Sequence, residues 1–308
     1  MTNYLMRRAV ALVPVALGVA TLTFALIHLV PGDPVTAMLG DTAAPADVAA
    51  MRHQLGLDRP IAAQYVGFLA GLIRGDLGES ISMHEPVARL IAERFPATLE
   101  LAAAGLAVAL AIALPLGTIA GAKPGGAADM GAMGFAIVGI SVPHLYLGPL
   151  LMIVFSHDLG WFPLTGRGGL SHLILPAVTL GSALAAIVAR MLRQSLIQVR
   201  RADYMRTARG KGLSESSALV RHGLRNAITP VVTLVGLEAG SLLTGAIVTE
   251  MIFSWPGMGR LLIMAISARD YQLVEGCVLT FALSYVIVNL LTDMVYGIVD
   301  PRVRRAGQ

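Results

Sequence analysis

Carboxylates inside apolar stretches are the residues of this sequence with the clearest capacity for chemistry. Glu238 lies within one long apolar run, and Asp293 lies near the end of another. An ionisable group inside a bilayer is costly and therefore indicates a transport pathway or a proton relay by default. A carboxylate at this depth can attract a cationic group or carry a proton. For Asp293, an interfacial position is the alternative.

A basic and polar stretch, residues 200–232, separates two apolar runs, and we call residues 200–226 the basic loop. A short helix is expected over Arg200–Lys211, with Gly212 ending it and Ser214 capping a second helix. Two short helices joined by a glycine form a knob, here Arg206–Ser214, that could dock on a partner. The alternative is a loop whose arginines only fix the membrane topology.

Several enzyme classes are excluded by missing motifs. A phosphate-binding loop needs the pattern GxxxxGK[ST], and neither lysine of the chain, Lys123 or Lys211, fits it. The sequence has no HExxH motif, and its 7 histidines are scattered. Ser141, in the segment 139–142, has neither the second glycine nor the base that a serine nucleophile needs. Energy for transport must therefore come from a partner chain or an ion gradient.

The composition is that of an integral membrane protein. Of the 308 residues, 56% are hydrophobic and only 14% are charged, against about a quarter in soluble domains, and the mean hydropathy is +0.71. The net charge of +4 is assigned to membrane topology, so lipid and not nucleic acid is the expected contact. The single cysteine, Cys277, allows no disulfide within the chain.

Six apolar runs approach or exceed the roughly 20 residues that a helix needs to cross a bilayer. They cover residues 9–30, 98–122, 131–155, 173–192, 227–252 and 273–298. Pro143, Pro149 and Pro176 interrupt the third and fourth runs, which bundled membrane helices tolerate. The first run is longer than the apolar core of a signal peptide, about 7 to 15 residues, and is interpreted as an uncleaved span. We therefore expect an all-α membrane protein with six transmembrane helices.

The distribution of basic residues orients these spans. Most of the 23 Lys and Arg residues fall on the side that carries both termini, which the positive-inside rule makes cytoplasmic. The predicted division is residues 1–30 as the N-terminus and first helix, 31–97 as an extracytoplasmic segment, 98–298 as a core of five helices with the basic loop, and 299–308 as a cytoplasmic tail. Short helices are expected at 46–54 and 61–73 of the extracytoplasmic segment.

Helix geometry groups the polar residues of the last two spans. At about 100° per residue, one face of the fifth span carries Glu238, Ser241, Gly245 and Thr249, and one face of the sixth carries Tyr285, Asn289 and Asp293. Gly236 and Gly240 fall on nearly the opposite side of the fifth span, where small residues favour close helix packing. The first two groups are therefore predicted to line a pathway.

The basic loop resembles the EAA loop of ABC-importer permeases, in the version found in the dipeptide and oligopeptide branch. The resemblance is carried by Arg206-Thr207-Ala208-Arg209-Gly210-Lys211-Gly212-Leu213-Ser214 and by Leu219-Val220-Arg221-His222-Gly223-Leu224-Arg225-Asn226-Ala227. Arg206 and Thr207 replace the Glu and first Ala of the general motif, and Arg225 stands where it has proline. Both departures are usual in the peptide branch.

The resemblance extends over essentially the whole chain and is to the B-type permease subunit. It is carried by Pro31-Gly32-Asp33-Pro34, Leu55-Gly56-Leu57-Asp58-Arg59-Pro60, Arg74-Gly75-Asp76-Leu77-Gly78-Glu79-Ser80, Phe253-Ser254-Trp255-Pro256-Gly257-Met258-Gly259-Arg260 and Asp300-Pro301-Arg302-Val303-Arg304. Glu238 departs from it, because a neutral polar residue is expected at that position. This departure puts the usual substrate range in doubt.

The resemblance implies a type I ABC-importer permease subunit in a bacterial inner membrane. Its knob would insert into an ATPase cleft through Arg206, Thr207, Ala208, Arg209, Lys211, Gly212, Leu213 and Ser214. The implied partners are a second, C-type permease, two ATPase subunits or domains and an extracytoplasmic substrate-binding protein. This chain would be no enzyme and hold no cofactor, with ATP and Mg on the ATPases. Di- or oligopeptides are the implied substrates, and close relatives carry nickel complexes, glutathione, oligosaccharides or opines.

Two other classes of function remain alternatives. An ion-coupled secondary transporter or channel would work without ATPases, but no inverted repeat is detectable and Glu238 is the one acid placed clearly inside a span. An intramembrane enzyme would use Ser141 as its nucleophile. Neither alternative explains the ordered sequence of the basic loop.

Overall fold

The computed structural model describes residues 13–25, 35, 44–54 and 58–299, which are nearly all helical. The helices are α1 (Val13–Ala25), α2 (Pro45–Gln54), α3 (Ile61–Arg74), α4 (Val87–Ala122), α5 (Ala127–Ser141), α6 (His144–Leu151), α7 (Leu170–Arg200), α8 (Asp203–Gly210), α9 (Glu215–Ala218), α10 (Leu224–Ile252), α11 (Met258–Ser267) and α12 (Tyr271–Val299). Two π-helical turns, Met152–Asp158 and Leu219–Gly223, extend α6 and join α9 to α10.

Four helical stretches in the described residues are long and apolar enough to cross a membrane. They are α4, α7, Glu215–Ile252 and α12, and the bent pair of α5 with α6 makes a fifth if it counts as one span. The predicted first span, 9–30, is described only over α1, and the rest of that prediction lies outside the described residues. The described part of the chain therefore contains four or five candidate spans, and the total of six stays a prediction.

The predicted third span, 131–155, is not one helix. Its two halves, Ala127–Ser141 and His144–Asp158, meet at an angle of 105°. The bend lies where Pro143 lacks an N–H and forces Val142 into an extended conformation, with φ −91° and ψ 111°. The apolar run was identified correctly, but a hydropathy window does not detect a change of direction.

Boundaries differ from the predictions at two further places. Helix α4 begins at Val87, within the segment 31–97 that was predicted to precede the second span. Its first turns carry Arg89 and Glu93, which pair at 3.1 Å and interrupt the apolar pattern without ending the helix. Helix α11 was not predicted at all, whereas the short helices expected at 46–54 and 61–73 are confirmed as α2 and α3.

The described chain divides into two units, and the first comprises residues 1–96 and 257–284. In it, the ring of Phe24 on α1 lies 5.2 Å from Tyr65 and 5.7 Å from Phe68, both on α3. Gly276 on α12 lies so close to α4 that a Cβ there would be 2.5 Å from Val87 Cγ1. Aromatic stacking and close helix approach thus hold this unit together.

The second unit comprises residues 97–256 and 285–308, and in it α4 and α7 make close backbone contact. A Cβ on Gly181 would lie 2.3 Å from the carbonyl oxygen of Gly105, and one on Gly117 would lie 2.8 Å from the carbonyl oxygen of Ala189. Farther along, a Cβ on Gly121 would lie 2.7 Å from Leu196 Cβ. These glycines let the two backbones touch, which is the usual means of tight packing between membrane helices.

The close-packing role predicted for Gly236 and Gly240 is confirmed. A Cβ on Gly236 would lie 1.9 Å from Thr292 Cγ2, and one on Gly240 would lie 2.7 Å from the ring of Tyr285. Thr292 Oγ1 also donates to the carbonyl oxygen of Gly236, at 3.1 Å. Helices α10 and α12 therefore meet along this glycine face.

Gly181→Val is expected to destabilise the second unit, because its side chain would collide with the backbone of α4. Overpacking of a close contact costs about 1 to 3 kcal/mol. Thermal unfolding of the purified chain in detergent should therefore show a lower Tm than the wild type.

Gly134→Val on α5 is the matched control, since nothing lies within 4 Å of a Cβ at Gly134. Its Tm should equal that of the wild type. Equal Tm values for Gly181→Val and the control would show that α4 and α7 do not touch as described.

Candidate functional site

The basic loop folds into two short helices joined at a glycine. Helix α8 begins at Asp203 rather than at the expected Arg200, because Arg200 is the last residue of α7. The predicted turn and cap are confirmed: Gly212 has φ +87°, and Ser214 Oγ accepts a hydrogen bond from the Ser217 N–H at 3.3 Å. A positive φ favours glycine, so the sequence of the turn fixes its shape.

The knob has one buried side and one exposed side. Met205 and Ala208 are buried in the core of the second unit, and Leu213 is half-buried. The exposed members of the predicted site are Arg206, Thr207, Arg209, Lys211, Gly212 and Ser214. Sequence reasoning missed the anchoring role of Met205, although its spacing of three residues from Ala208 is typical of a buried helix face.

Two polar contacts lie on the exposed side of α8. Thr207 Oγ1 donates to the carbonyl oxygen of Asp203 at 3.1 Å, and an Arg206 guanidinium nitrogen lies 3.7 Å from Asp203 Oδ1. Both are exposed contacts and contribute little stability. The exposed side of the knob is thus a basic surface available to a partner.

Arg200 connects the basic loop to α4. Its Nη1 donates to the carbonyl oxygens of Ala122, at 2.6 Å, and Gly121, at 3.4 Å, and its Nη2 donates to Glu215 Oε1. Arg209 Nη2 in turn donates to the carbonyl oxygen of Arg200 at 2.7 Å. The sequence did not indicate the contacts of Arg200 with α4, because the carbonyl oxygens that accept them lie 78 and 79 positions away.

A second ion pair lies nearby, between α5 and α7. Arg193 Nε and Nη2 donate to the two carboxylate oxygens of Asp129 at 2.5 and 2.7 Å. The Gly125 N–H donates to the same carboxylate at 2.8 Å. This bidentate geometry fixes the orientation of α5 against α7, and Asp129 was not singled out from the sequence.

The predicted pathway residues of α10 do not share one open face. Glu238 is half-buried and accepts a hydrogen bond from Ser241 Oγ at 3.0 Å, while Ser241 is exposed. Gly245 faces α7, where a Cβ would lie 3.3 Å from Leu180, and Thr249 is fully buried. The expected face is therefore divided into an accessible half and a packed half.

The predicted residues of α12 are divided in the same way. Tyr285 packs its ring on Gly240 yet keeps 43% of its surface exposed, and Asn289 is half-buried. The side chain of Asp293 lies outside the described part of the structure. A role of the α10 and α12 residues in a pathway stays a prediction.

The most deeply buried acid of α10 is Glu250 rather than Glu238. Glu250 is 0% exposed and accepts a hydrogen bond from Thr98 Oγ1 at 2.6 Å. Trp255 is also fully buried, and its indole Nε1 donates to the carbonyl oxygen of Ala97 at 2.8 Å. Sequence reasoning missed both roles because these residues lie at the end of an apolar run, where exposure is the usual expectation.

The remaining candidates for chemistry are structural. Ser141 Oγ donates to the carbonyl oxygen of Ile137 on its own helix at 2.8 Å, so it is not paired with a base. His144 is half-buried, and its Nδ1 lies 2.7 Å from the carbonyl oxygen of Thr179. Among the described residues, no group of three or more His, Cys, Asp or Glu side chains could hold a metal ion.

Asp270, immediately before α12, is a fully buried carboxylate with four hydrogen bonds. It accepts hydrogen bonds from Ser80 Oγ at 2.6 Å, from Ser82 N and Oγ at 2.9 and 2.8 Å, and from Leu273 N at 3.1 Å. Burial acts to raise the pKa of Asp270, but the four hydrogen bonds together outweigh it and hold the pKa below its ordinary value of 3.8. Asp270 thereby ties residues 80–82 to the start of α12.

Comparison with known proteins identifies the family. The model of the "binding-protein-dependent transport system inner membrane component" matches residues 113–305, and its N-terminal counterpart matches residues 1–102. The glutathione transport system permease protein GsiC of Pectobacterium atrosepticum is 43% identical over 99% of both chains. The di/tripeptide transport system permease protein DppB of Pseudomonas aeruginosa is 41% identical, also over 99% of both.

Solved structures agree on the fold. An inward-facing structure of the MetNI methionine ABC transporter matches 71% of this chain and 100% of its own, with a TM-score of 0.57 and 16% identity. An amino acid ABC transporter with histidines matches 70% of this chain and 94% of its own, with a TM-score of 0.52 and 16% identity. At this level of identity the similarity concerns the fold alone.

Apolar helices of membrane length joined by a structured basic loop define a multi-pass membrane protein. The chain belongs to the family of binding-protein-dependent transport system inner membrane components, and it is a permease subunit of an ABC importer. Membership of this family implies an ATPase and a substrate-binding protein as partners.

Asp270→Asn is expected to destabilise the chain at neutral pH and to lose this effect in acid. Because the folded-state pKa lies below 3.8, ionised Asp270 stabilises the fold above that pH, and the stabilisation is lost as the pH falls through the folded-state value. The loss at neutral pH should reach about 1.5 to 3 kcal/mol, the contribution of one hydrogen bond to a charged group.

The measurement is Tm in detergent as a function of pH, with Glu93→Gln, an exposed carboxylate changed in the same way, as the control. The gap between wild type and Asp270→Asn should narrow below pH 3.8, and the control should follow the wild type throughout. A constant gap at every pH would contradict the assignment of an ionised Asp270.

Proposed function

We propose that this permease subunit imports short peptides, with di- and oligopeptides and glutathione as the substrate class. The observation that carries the proposal is the near-complete coverage of two relatives named for glutathione and di/tripeptide transport, at 43% and 41% identity. Both named substrates are short peptides with charged ends. A chain that aligns with both relatives over 99% of its length is expected to transport substrates of the same class.

The proposed assembly contains four kinds of component. This chain would pair with a second, C-type permease to form the pathway, two ATPase subunits or domains would supply the energy, and a substrate-binding protein would deliver the peptide from outside. ATP and Mg would be held by the ATPases. The proposed topology has six spans with both termini in the cytoplasm, which follows from the positive-inside rule.

The knob Arg206–Ser214 is proposed to dock in a cleft of the ATPase. Its shape supports this: Met205 and Ala208 anchor one side in the core, and the exposed side presents Arg206, Arg209 and Lys211. Because a docking element must transmit force, it has to be rigid as well as exposed. The positive φ of Gly212 and the cap at Ser214 provide that rigidity.

Glu238 is proposed to contribute to the pathway. It is half-buried, lies on α10 and is held by Ser241, whose hydroxyl reaches both its carboxylate and its carbonyl oxygen. A carboxylate in this position attracts the cationic N-terminus of a peptide. Thr249 and Gly245, which lie in packed positions, would act through the orientation of α10 rather than by contact with the substrate.

Gly212→Val is expected to abolish most ATP-driven uptake, because valine cannot adopt a φ of +87° without strain. Membrane insertion should be unchanged, since the residue lies outside the spans. The measurement is uptake of a labelled dipeptide into proteoliposomes that contain the assembled transporter.

Gly131→Val on α5, which lies outside the knob, provides the matched control. Nothing lies within 4 Å of a Cβ at either glycine, so the two variants add the same volume and differ in backbone conformation. The control should retain uptake. Full uptake by Gly212→Val would mean that the basic loop serves only as a topology signal.

Glu238→Gln is expected to lower the uptake of a dipeptide with a free amino terminus several-fold at low salt, because a charge attraction is removed. The same variant should show a weaker dependence on salt and on pH, since screening by salt acts on charges. Glu85→Gln, a change of the same type in the first unit, is the control and should behave like the wild type. Unchanged uptake with unchanged salt and pH dependence would eliminate Glu238 from the pathway.

A further inference from the structure

Arg200 lies where the ends of four helices meet. It is the last residue of α7, its guanidinium reaches the last carbonyl oxygens of α4 and the first turn of α9, and Arg209 near the end of α8 donates to its own carbonyl. These contacts are all within the second unit. Through its side chain and its backbone carbonyl, Arg200 thus connects α4 and α7 to α8 and α9, the two short helices of the basic loop.

The contact with α4 is a helix C-terminal cap. The last four carbonyls of a helix have no partner within the helix, and the helix dipole places partial negative charge there. Arg200 Nη1 binds two of these carbonyls, those of Gly121 and Ala122. Because the guanidinium is planar and has five donors, it can bind carbonyls on one side and Glu215 on the other, which a lysine cannot do with the same geometry.

The close packing of α4 and α7 favours their movement as one body. Their backbones touch at Gly105 and Gly181, and Gly117 and Gly121 continue the contact to the end that carries Arg200. Asp129 and Arg193 attach α5 to the same pair. A displacement that reaches Arg200 therefore reaches three membrane helices at once.

We propose that Arg200 is the positioning residue that transmits displacement of the basic loop to α4 and α7, with Glu215 as its partner on the loop. This inference rests on the proposed docking of the knob on an ATPase. It assigns a route inside this chain: from α9 through Glu215 to Arg200, and from Arg200 to the end of α4. Loss of the route leaves the knob docked but removes its side-chain link to the end of α4.

The experiment uses the complete transporter in proteoliposomes and compares ATP hydrolysed with peptide transported. Arg200→Gln is expected to raise the number of ATP molecules hydrolysed per peptide several-fold, because hydrolysis continues while movement is transmitted poorly. Glu215→Gln should produce the same direction of change. Arg200→Lys, which keeps the charge but loses the planar fork, should restore part of the coupling.

Lys123→Gln is the matched control. It removes one positive charge next to Ala122, and Lys123 is exposed. Its ratio of hydrolysis to transport should equal that of the wild type. The control separates the contacts of Arg200 from a general effect of charge at this end of α4.

The outcomes separate this inference from the function on which it rests. If the wild type shows no ATP-dependent uptake, the proposed function fails and the inference fails with it. If the wild type is coupled and both Arg200→Gln and Glu215→Gln keep its ratio, only the inference fails. If Arg200→Gln does not assemble, Glu215→Gln decides, because the Glu215 side chain is 61% exposed and its change leaves the core intact.

Discussion

The backbone contact between α4 and α7 is the constraint on which the second unit depends. Lipid provides no hydrophobic driving force between membrane helices, so their association relies on close packing and hydrogen bonds. At Gly181 the approach to the carbonyl oxygen of Gly105 leaves no space for a side chain. Helix α7 carries Arg193 and Arg200 to the point where the basic loop begins, so the packing of the membrane region determines where the loop lies.

The turn and the helix cap of the basic loop could be predicted from the sequence, whereas the contacts of the loop with residues distant in sequence could not. Gly212 and Ser214 act on their own neighbours, so the turn and the cap could be derived from residue type and spacing. The contacts of Arg200 with α4 join residues 78 and 79 positions apart. A sequence shows that an arginine is present, but it does not show which carbonyl oxygen accepts its hydrogen bond.

Hydropathy located the membrane helices but not their direction or their full length. The bend at Pro143 divides one apolar run into two helices, and α4 extends back to Val87 through charged residues.

Helical periodicity predicted the close packing of Gly236 and Gly240 correctly. Periodicity did not predict that Glu238 is half-buried whereas Thr249 is fully buried. Residues on the same face of a helix can be accessible in one turn and packed against a neighbouring helix a few turns later.

The π-helical turn Leu219–Gly223 sets the rotational phase between the loop and the membrane helix that follows it. A π-bulge accommodates one residue more than the α-helix around it, which offsets the side chains beyond it by about 100°. The π-helical turn therefore changes which side of α10 faces α7 without changing which side of α9 faces Arg200. One extra residue in a helix therefore allows the basic loop and the membrane bundle to satisfy two different sets of neighbours along a nearly continuous helical path.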